Sequence, residues 1–131
     1  MILLDENVPL EQADLLRGWS IRCRVIGRDV AELSIGDDDI VVLLHRLKRS
    51  TFITRDRHFF RRSLCHPNSC LVMLDALPEE SAMFTRRFHR HPAFHRAADR
   101  LGIVARAHHD GIHFWQRGRA ALQQIGWSPQ V

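Results

Sequence analysis

The sequence predicts an α/β fold with a mainly parallel central sheet flanked by helices and a C-terminal β-hairpin. Short continuous apolar segments alternate with segments of helical periodicity, which is the pattern of βαβ units in a sheet covered on both faces. Three of the four apolar segments end in an aspartate within two residues. Because chemistry in such sheets collects at the carboxyl ends of the parallel strands, a functional site is expected at that edge.

The first part of the predicted sheet combines four strands with one clear helix. The apolar segments predicted to be strands span residues 1–4, 21–25, 51–54 and 70–74. Leu10, Ala13 and Leu16 recur at three-residue spacing, so an amphipathic helix is predicted over residues 10–19.

Three consecutive aspartates mark the predicted start of the second helix. Asp37, Asp38 and Asp39 favour a helix N-terminus, where the macrodipole is positive. The helix is predicted over residues 37–49, and a helical turn is predicted before it at residues 29–33. Its apolar face is formed by Ile40, Leu43, Leu44 and Leu47.

The last part of the chain predicts two further helices and a hairpin. The helices are expected over residues 78–90 and 93–101. Segments 103–108 and 112–116 flank Asp110-Gly111, a dipeptide that favours a type I′ turn between antiparallel strands.

Length and composition predict one compact domain. The chain has 131 residues, of which 45% are hydrophobic, and a single domain is predicted over residues 1–117. Residues 118–131 are expected to form a short helix or a loose tail. No apolar segment approaches the ~20 residues of a membrane-spanning helix, so neither a membrane protein nor a signal peptide is predicted.

Cysteine usage and charge narrow the class of protein further. Three cysteines without a C-x-x-C pair argue against a disulfide framework and a zinc knuckle, and they suit the reducing cytoplasm. The nineteen basic residues are nearly all arginine, and the net charge is +4. This balance is compatible with a phosphate-rich partner, because arginine pairs bidentately with phosphate oxygens.

The acids at the strand ends predict a metal site. If the strands are parallel, Asp5 and Asp56 emerge at one edge of the sheet, and the helix that starts near Asp37 faces the same edge. Converging carboxylates repel one another unless a hard cation such as Mg²⁺ or Mn²⁺ neutralises them. Such an ion could polarise a phosphoryl oxygen and activate water for attack on a phosphodiester. Each acid also has a structural interpretation as a helix cap or a dipole partner.

Three sequence blocks stand out in the first half of the chain. They are Met1-Ile-Leu-Leu-Asp-Glu-Asn-Val-Pro9, Ile35-Gly-Asp-Asp-Asp-Ile40 and Phe52-Ile-Thr-Arg-Asp-Arg-His-Phe59. Together these blocks resemble the small PIN-like proteins, which are relatives of toxin-type PIN ribonucleases. They occur in the order of that family and cover roughly the first 75 residues. The resemblance implies a PIN-like three-layer sandwich that cuts RNA with a divalent metal, as a metal-dependent endoribonuclease.

The resemblance also implies roles for individual residues. Asp5, Asp37 and Asp56 would be catalytic and would hold Mg²⁺ or Mn²⁺, with Asp38 as the alternative to Asp37. His58 stands where the family usually has a further acid. A histidine can ligate Mn²⁺ or transfer a proton, so His58 is assigned an accessory catalytic role.

The substrate of this site is expected to be RNA. Thr54 could hydrogen-bond a phosphate or a ligand carboxylate. The densest basic cluster lies beside the proposed metal and would hold the RNA backbone through Arg55, Arg57, Arg61 and Arg62. The resemblance further implies an antitoxin protein as partner of a toxin, and a homodimer.

Two other interpretations remain open. A non-catalytic PIN-like module would bind RNA or a protein through its basic surface, and His58 in place of an acid favours this alternative. A doubly wound response-regulator domain would also place aspartates at strand ends, but the single lysine, Lys48, lies on a predicted helix and not at the end of a late strand.

Overall fold

Seven strands form one mixed sheet in the computed structural model, which describes residues 1–28 and 36–127. The strands are β1 (Ile2–Leu4), β2 (Cys23–Val25), β3 (Ser50–Thr54), β4 (Ser69–Leu74), β5 (Ile103–His108), β6 (Gly111–Gln116) and β7 (Gln123–Ile125). Their order in the sheet is β2-β1-β3-β4-β5-β6-β7. Neighbours from β2 to β5 pair in parallel, and β6 and β7 add antiparallel pairs. The predicted α/β class with a mainly parallel sheet is confirmed.

Within the same described residues, four α-helices connect or cover these strands. They are α1 (Leu10–Gly18), α2 (Asp37–Leu47), α3 (Ser81–Arg90) and α4 (Ala97–Arg100). Short 3₁₀ turns lie at Arg57–Phe59, Arg62–Leu64 and Pro78–Glu80. Across the described ranges, none of the helices combines the length and the apolarity that crossing a membrane would need.

The core lies on both faces of the sheet. On one face, Leu3, Phe52 and Leu71 pack in a cluster that includes Ile40 and Leu44 of α2. The neighbouring strand residues point the other way, into a second cluster that includes side chains of α1 and α3. This alternation is the period-two pattern of a strand, and it gives a helix–sheet–helix arrangement that is compatible with three layers.

The helix predicted over residues 93–101 is shorter than expected, because it is confined to α4. Phe94 is buried and stacks on Phe88 of α3 with ring centroids 4.7 Å apart. The Arg100 side chain donates to the backbone oxygens of Phe94 (2.8 Å) and His95 (3.0 Å). Burial of an aromatic ring in the preceding turns therefore outweighs the helical propensity of this stretch.

The turn between β5 and β6 differs from the predicted one. The Cα atoms of His108 and Gly111 are partners, so the loop consists of His109 and Asp110 instead of Asp110 and Gly111. Neither loop residue has a positive φ, which excludes the predicted type I′ turn. Gly111 has φ of 149° and lies so close to Ile125 that a Cβ atom would overlap its carbonyl oxygen. The absence of a side chain at Gly111 therefore allows β7 to approach this closely.

A seventh strand replaces part of the predicted C-terminal helix or tail. We expected no strand in residues 118–131, but β7 pairs antiparallel with β6. Trp127 then anchors the chain beyond this strand, since its Nε1 donates to the carbonyl oxygen of His108 and the Arg87 guanidinium lies 4.4 Å from its ring centroid. Residues 128–131 and the helical turn predicted at residues 29–33 lie outside the described residues.

Candidate functional site

An aspartate follows each of three adjacent strands. Asp5, Asp56 and Asp75 come at or just after the carboxyl ends of β1, β3 and β4, which are consecutive in the sheet. β1 lies between β2 and β3, so the chain order of the strands reverses beside it. In open α/β sheets the crevice at such a switch point is the usual place for a ligand.

The strand-end acid of β1 is enclosed in a hydrogen-bond network. Asp5 is only 5% exposed, and its Oδ2 accepts from the Thr54 hydroxyl at 2.7 Å. Its Oδ1 accepts from the backbone N–H of Glu6 at 2.8 Å. The same Thr54 oxygen accepts from the backbone N–H of Asp56 at 3.0 Å and from Asn7 Nδ2 at 3.3 Å. Thr54 therefore joins the ends of β1 and β3.

Burial dominates the ionisation of Asp5. The pKa of this carboxyl is raised above its ordinary value, first because burial penalises the charged form. The Thr54 hydroxyl and the Glu6 N–H act in the opposite direction, since they donate to the carboxylate. The negative charges of Glu6 and Asp56 raise the pKa further.

A second group of side chains is open to solvent and is arranged as a ligand set. Asp37, Asp56 and His58 each place one potential ligand atom so that all three atoms lie within 4.8 Å of one another. Asp37 reaches this point from the first turn of α2. Asp56 caps the following 3₁₀ turn, because its Oδ1 accepts from the backbone N–H of His58 at 2.9 Å. The same oxygen lies 3.2 Å from Nδ1 of the His58 ring.

The structure therefore brings together three of the four predicted catalytic residues. Asp5 is not a member of the group, although Thr54 connects it to the backbone of Asp56. The neighbouring Asp38 lines the same cleft as Asp37 but does not belong to the group of three.

The donor set fits a divalent cation. Two carboxylates are the ligands that Mg²⁺ and Mn²⁺ prefer, whereas the imidazole of His58 favours Mn²⁺ over Mg²⁺. Asp37 and His58 are exposed and Asp56 is half-buried, so an ion held here would keep much of its hydration.

An arginine borders the same open cleft. The cleft has a volume of about 620 Å³ and is lined by Asp37 to Asp39, His58 and Arg61, with Gly36 at the helix start. Arg61 is fixed at this wall, since its Nε donates to the carbonyl oxygen of His58 at 2.8 Å. The carboxylates can bind a cation, and the adjacent guanidinium can bind a phosphate next to it.

The other arginines of the predicted substrate cluster have different surroundings. The Arg55 backbone N–H donates to Asn7 Oδ1 at 3.1 Å, and its side chain reaches the Ala76 carbonyl at 3.5 Å. Arg57 is largely exposed and lies 3.8 Å from Asp75. Arg62 lies on the second 3₁₀ turn and is exposed. Of these four arginines, Arg61 alone lines the cleft with Asp37 and His58.

Sequence reasoning missed two residues at this edge, Asn7 and Arg106. Asn7 bridges Thr54 and Arg55, and its only signal was its place in the first sequence block. Asp75 ends β4 as an acid, like Asp5 ends β1, but it accepts from Nε and Nη2 of Arg106. Hydrogen bonds from Arg106 lower the pKa of the Asp75 carboxyl. Its partner lies 31 residues away, so no local pattern could have identified the pair.

Comparison with known proteins adds no relative to this description. Neither the family models, nor the curated proteins, nor the solved structures contain a significant match to the chain.

Proposed function

We propose that this protein is a metal-dependent endoribonuclease whose active site is the cleft at Asp37, Asp56 and His58. The observation that carries the proposal is the convergence of the three ligand atoms within 4.8 Å. Two of these residues, Asp37 and His58, line a cleft together with Arg61. The choice of RNA as substrate rests on the resemblance of the sequence blocks to PIN-like ribonucleases and on the basic residues around the cleft.

Asp37, Asp56 and His58 would hold Mn²⁺ or Mg²⁺. A divalent ion held there supplies the polarisation of a phosphoryl oxygen and the acidification of water that phosphodiester hydrolysis needs. Arg61 would bind a non-bridging phosphate oxygen and so orient the RNA backbone. Arg57 and Arg62 would contact neighbouring phosphates, which makes binding sensitive to salt.

Asp5 would act through Thr54 as a positioning residue. Its carboxylate fixes the Thr54 hydroxyl, and the Thr54 oxygen in turn fixes the backbone N–H of Asp56. Removing this support should lower the affinity for Mn²⁺ as well as the rate of cleavage. Titration of Mn²⁺ into an Asp5→Asn variant tests this role, and unchanged affinity with unchanged cleavage would reject it.

The decisive experiment is cleavage of a mixed single-stranded RNA pool by the wild type and by Asp56→Asn, with Mg²⁺, Mn²⁺ or EDTA. The asparagine keeps an oxygen that can cap the His58 N–H, so the fold should persist while the ligand charge is lost. Asp14→Asn is the matched control, because Asp14 is 72% exposed on α1 and does not line the cleft. Metal-dependent cleavage that is lost in Asp56→Asn and kept in Asp14→Asn supports the nuclease. The same assay on Asp37→Asn and on Asp38→Asn then identifies which of the two is the second acid.

A specific observation favours a second candidate, a PIN-like module that binds RNA or a protein without cutting. Both oxygens of Asp5 are occupied by donors of the chain itself, so fewer acids face the cleft than the sequence blocks imply. This module predicts salt-sensitive RNA binding and no cleavage under any metal condition. The absence of both binding and cleavage would reject the two candidates together.

Further proposals follow from the family resemblance alone. The protein would work in the cytoplasm as the toxin of a toxin–antitoxin pair, with an antitoxin protein as its partner, and would form a homodimer. Light scattering of the purified chain tests the homodimer directly.

A further inference from the structure

A second cavity lies at the opposite edge of the sheet, where β1 and β3 begin. Thr51 stands near the start of β3 and pairs with Ile2, and both residues line the cavity. The cavity has a volume of about 230 Å³. One water molecule occupies roughly 30 Å³ in the liquid, so the space admits a group much larger than a single water.

The charged side chains that line this cavity are all basic. Its polar wall consists of Ser20, Arg22, Thr51, His89 and Arg100, and no carboxylate lines it within the described part of the chain. Arg100 is held in place by the carbonyl oxygens of Phe94 and His95. These carbonyls orient the guanidinium but do not cancel its positive charge.

A buried ring nitrogen in the same wall lacks a partner. Nδ1 of His89 is buried and makes no hydrogen bond within the described residues. Buried polar atoms are nearly always paired, so an unpartnered ring nitrogen in a residue that lines a cavity is unusual. Burial lowers the pKa of His89, and the neighbouring cations, Arg100 first, lower it further.

We propose that this cavity binds a phosphate group, either free phosphate or the terminal phosphate of an RNA. Arg22 and Arg100 would provide charge-assisted hydrogen bonds, and Thr51 and His89 would provide polar contacts to the remaining oxygens. Arg22 and Arg100 lie in different parts of the chain and both line this cavity, so a tetrahedral oxyanion would receive donors from two separate segments. This site is separate from the cleft of the proposed nuclease and does not depend on it.

Calorimetric titration of inorganic phosphate into the wild type and into Arg22→Gln tests the site. Arg22 is exposed, so its replacement should leave the fold intact. Loss of one charge-assisted contact should weaken binding about tenfold. Arg46→Gln is the matched control, since Arg46 is an exposed arginine of α2 that does not line the cavity. Absence of binding at millimolar phosphate, or equal affinity of Arg22→Gln and the wild type, would overturn the proposal.

The protonation of His89 gives an independent readout. An anion beside the ring stabilises its charged form, so phosphate should raise the pKa of His89 in an NMR titration. An unchanged titration of His89 at saturating phosphate would contradict the assigned position of the ligand.

A comparison of two RNAs identifies the source of the phosphate. Short oligonucleotides that carry either a 5′-phosphate or a 5′-hydroxyl are titrated in EDTA into the wild type and into Arg22→Gln. Tighter binding of the phosphorylated RNA that Arg22→Gln abolishes assigns the cavity to an RNA end. Equal binding of the two RNAs, with phosphate binding still lost in Arg22→Gln, assigns it to free phosphate.

Discussion

Replacing Thr54 by valine should destabilise the protein more at neutral pH than at acid pH. Thr54 is fully buried, and valine has nearly its shape, so the change removes one hydroxyl and creates no cavity. The hydroxyl donates to Oδ2 of Asp5 and accepts from the N–H of Asp56 and from Asn7. All three partners would lose this contact at once.

The size of the effect follows from the charge on Asp5. A hydrogen bond to a charged group contributes about 1.5–3 kcal/mol, and a neutral one about 1 kcal/mol. With Asp5 ionised, Thr54→Val should therefore lower the free energy of unfolding by about 2–3 kcal/mol. For a domain of this length that corresponds to a fall in Tm of roughly 6–15 °C.

The pH dependence has a defined sign. The folded pKa of Asp5 lies above its unfolded value, so the native state binds the extra proton and stability falls as pH rises through this interval. The Thr54 hydroxyl lowers this pKa, and its removal raises the folded value further. The difference between variant and wild type should thus be smallest near pH 4, close to the unfolded value of 3.8, and largest at neutral pH.

Urea unfolding in EDTA between pH 4 and pH 8 measures this difference, with Thr85→Val as the control. Thr85 is equally buried, but its hydroxyl donates to the Ser81 carbonyl in α3 and has no acid as partner. Its replacement should cost about 1 kcal/mol at every pH. A cost for Thr54→Val that is independent of pH, or no larger than that of Thr85→Val, would refute the account of Asp5 as an ionised acceptor.

Two further substitutions test other contacts of the fold. Asp75→Asn should destabilise the protein by about 1 kcal/mol at pH 7 and by less near pH 3. Arg106 lowers the folded pKa of Asp75, so the stabilisation from the ionised carboxylate is lost as pH falls through that pKa. Urea unfolding at the two pH values measures the difference, and an equal cost at both would contradict the prediction. Gly111→Ala should destabilise by about 2–3 kcal/mol, because both its φ and the nearby Ile125 oxygen exclude a side chain. The control Gly118→Ala also has a positive φ but open space around it and should cost about 1 kcal/mol, so thermal unfolding that ranks the two glycines equally would count against the close contact.

The parts of the fold that the sequence predicts are those with strong local signals. The apolar segments of β1, β3 and β4 and the periodic helix α1 lie within one or two residues of their predicted positions. The errors lie where distant contacts decide the local structure. The helix predicted over residues 93–101 is shorter in the structure because Phe94 stacks on Phe88. The sequence attributes Gly111 to a turn, whereas the structure shows that the approach of β7 requires a glycine there.

The candidate site shows the same limit. Parallel strands bring Asp5 and Asp56 to one edge, and the first turn of α2 brings Asp37 there, as the spacing of strands and helix predicts. The sequence did not indicate which of these side chains are buried and which are open to solvent. Asp5 is turned into the network of Thr54, whereas His58 lies in the open cleft beside Asp56.

The contacts of Thr54 bear on what the sequence blocks mean. Asp5 and Asn7 of the first block bond directly to Thr54 and Arg55 of the third, so the two blocks form one hydrogen-bonded joint between the ends of β1 and β3. These hydrogen bonds would stabilise the fold whether or not the protein cuts RNA. The first and third blocks are therefore not two independent indications of nuclease activity, because both contribute to the same structural contact. The residues that distinguish a catalyst from a scaffold are those outside the joint, and the RNA assay on Asp37→Asn is consequently more informative than the same assay on Asp5→Asn.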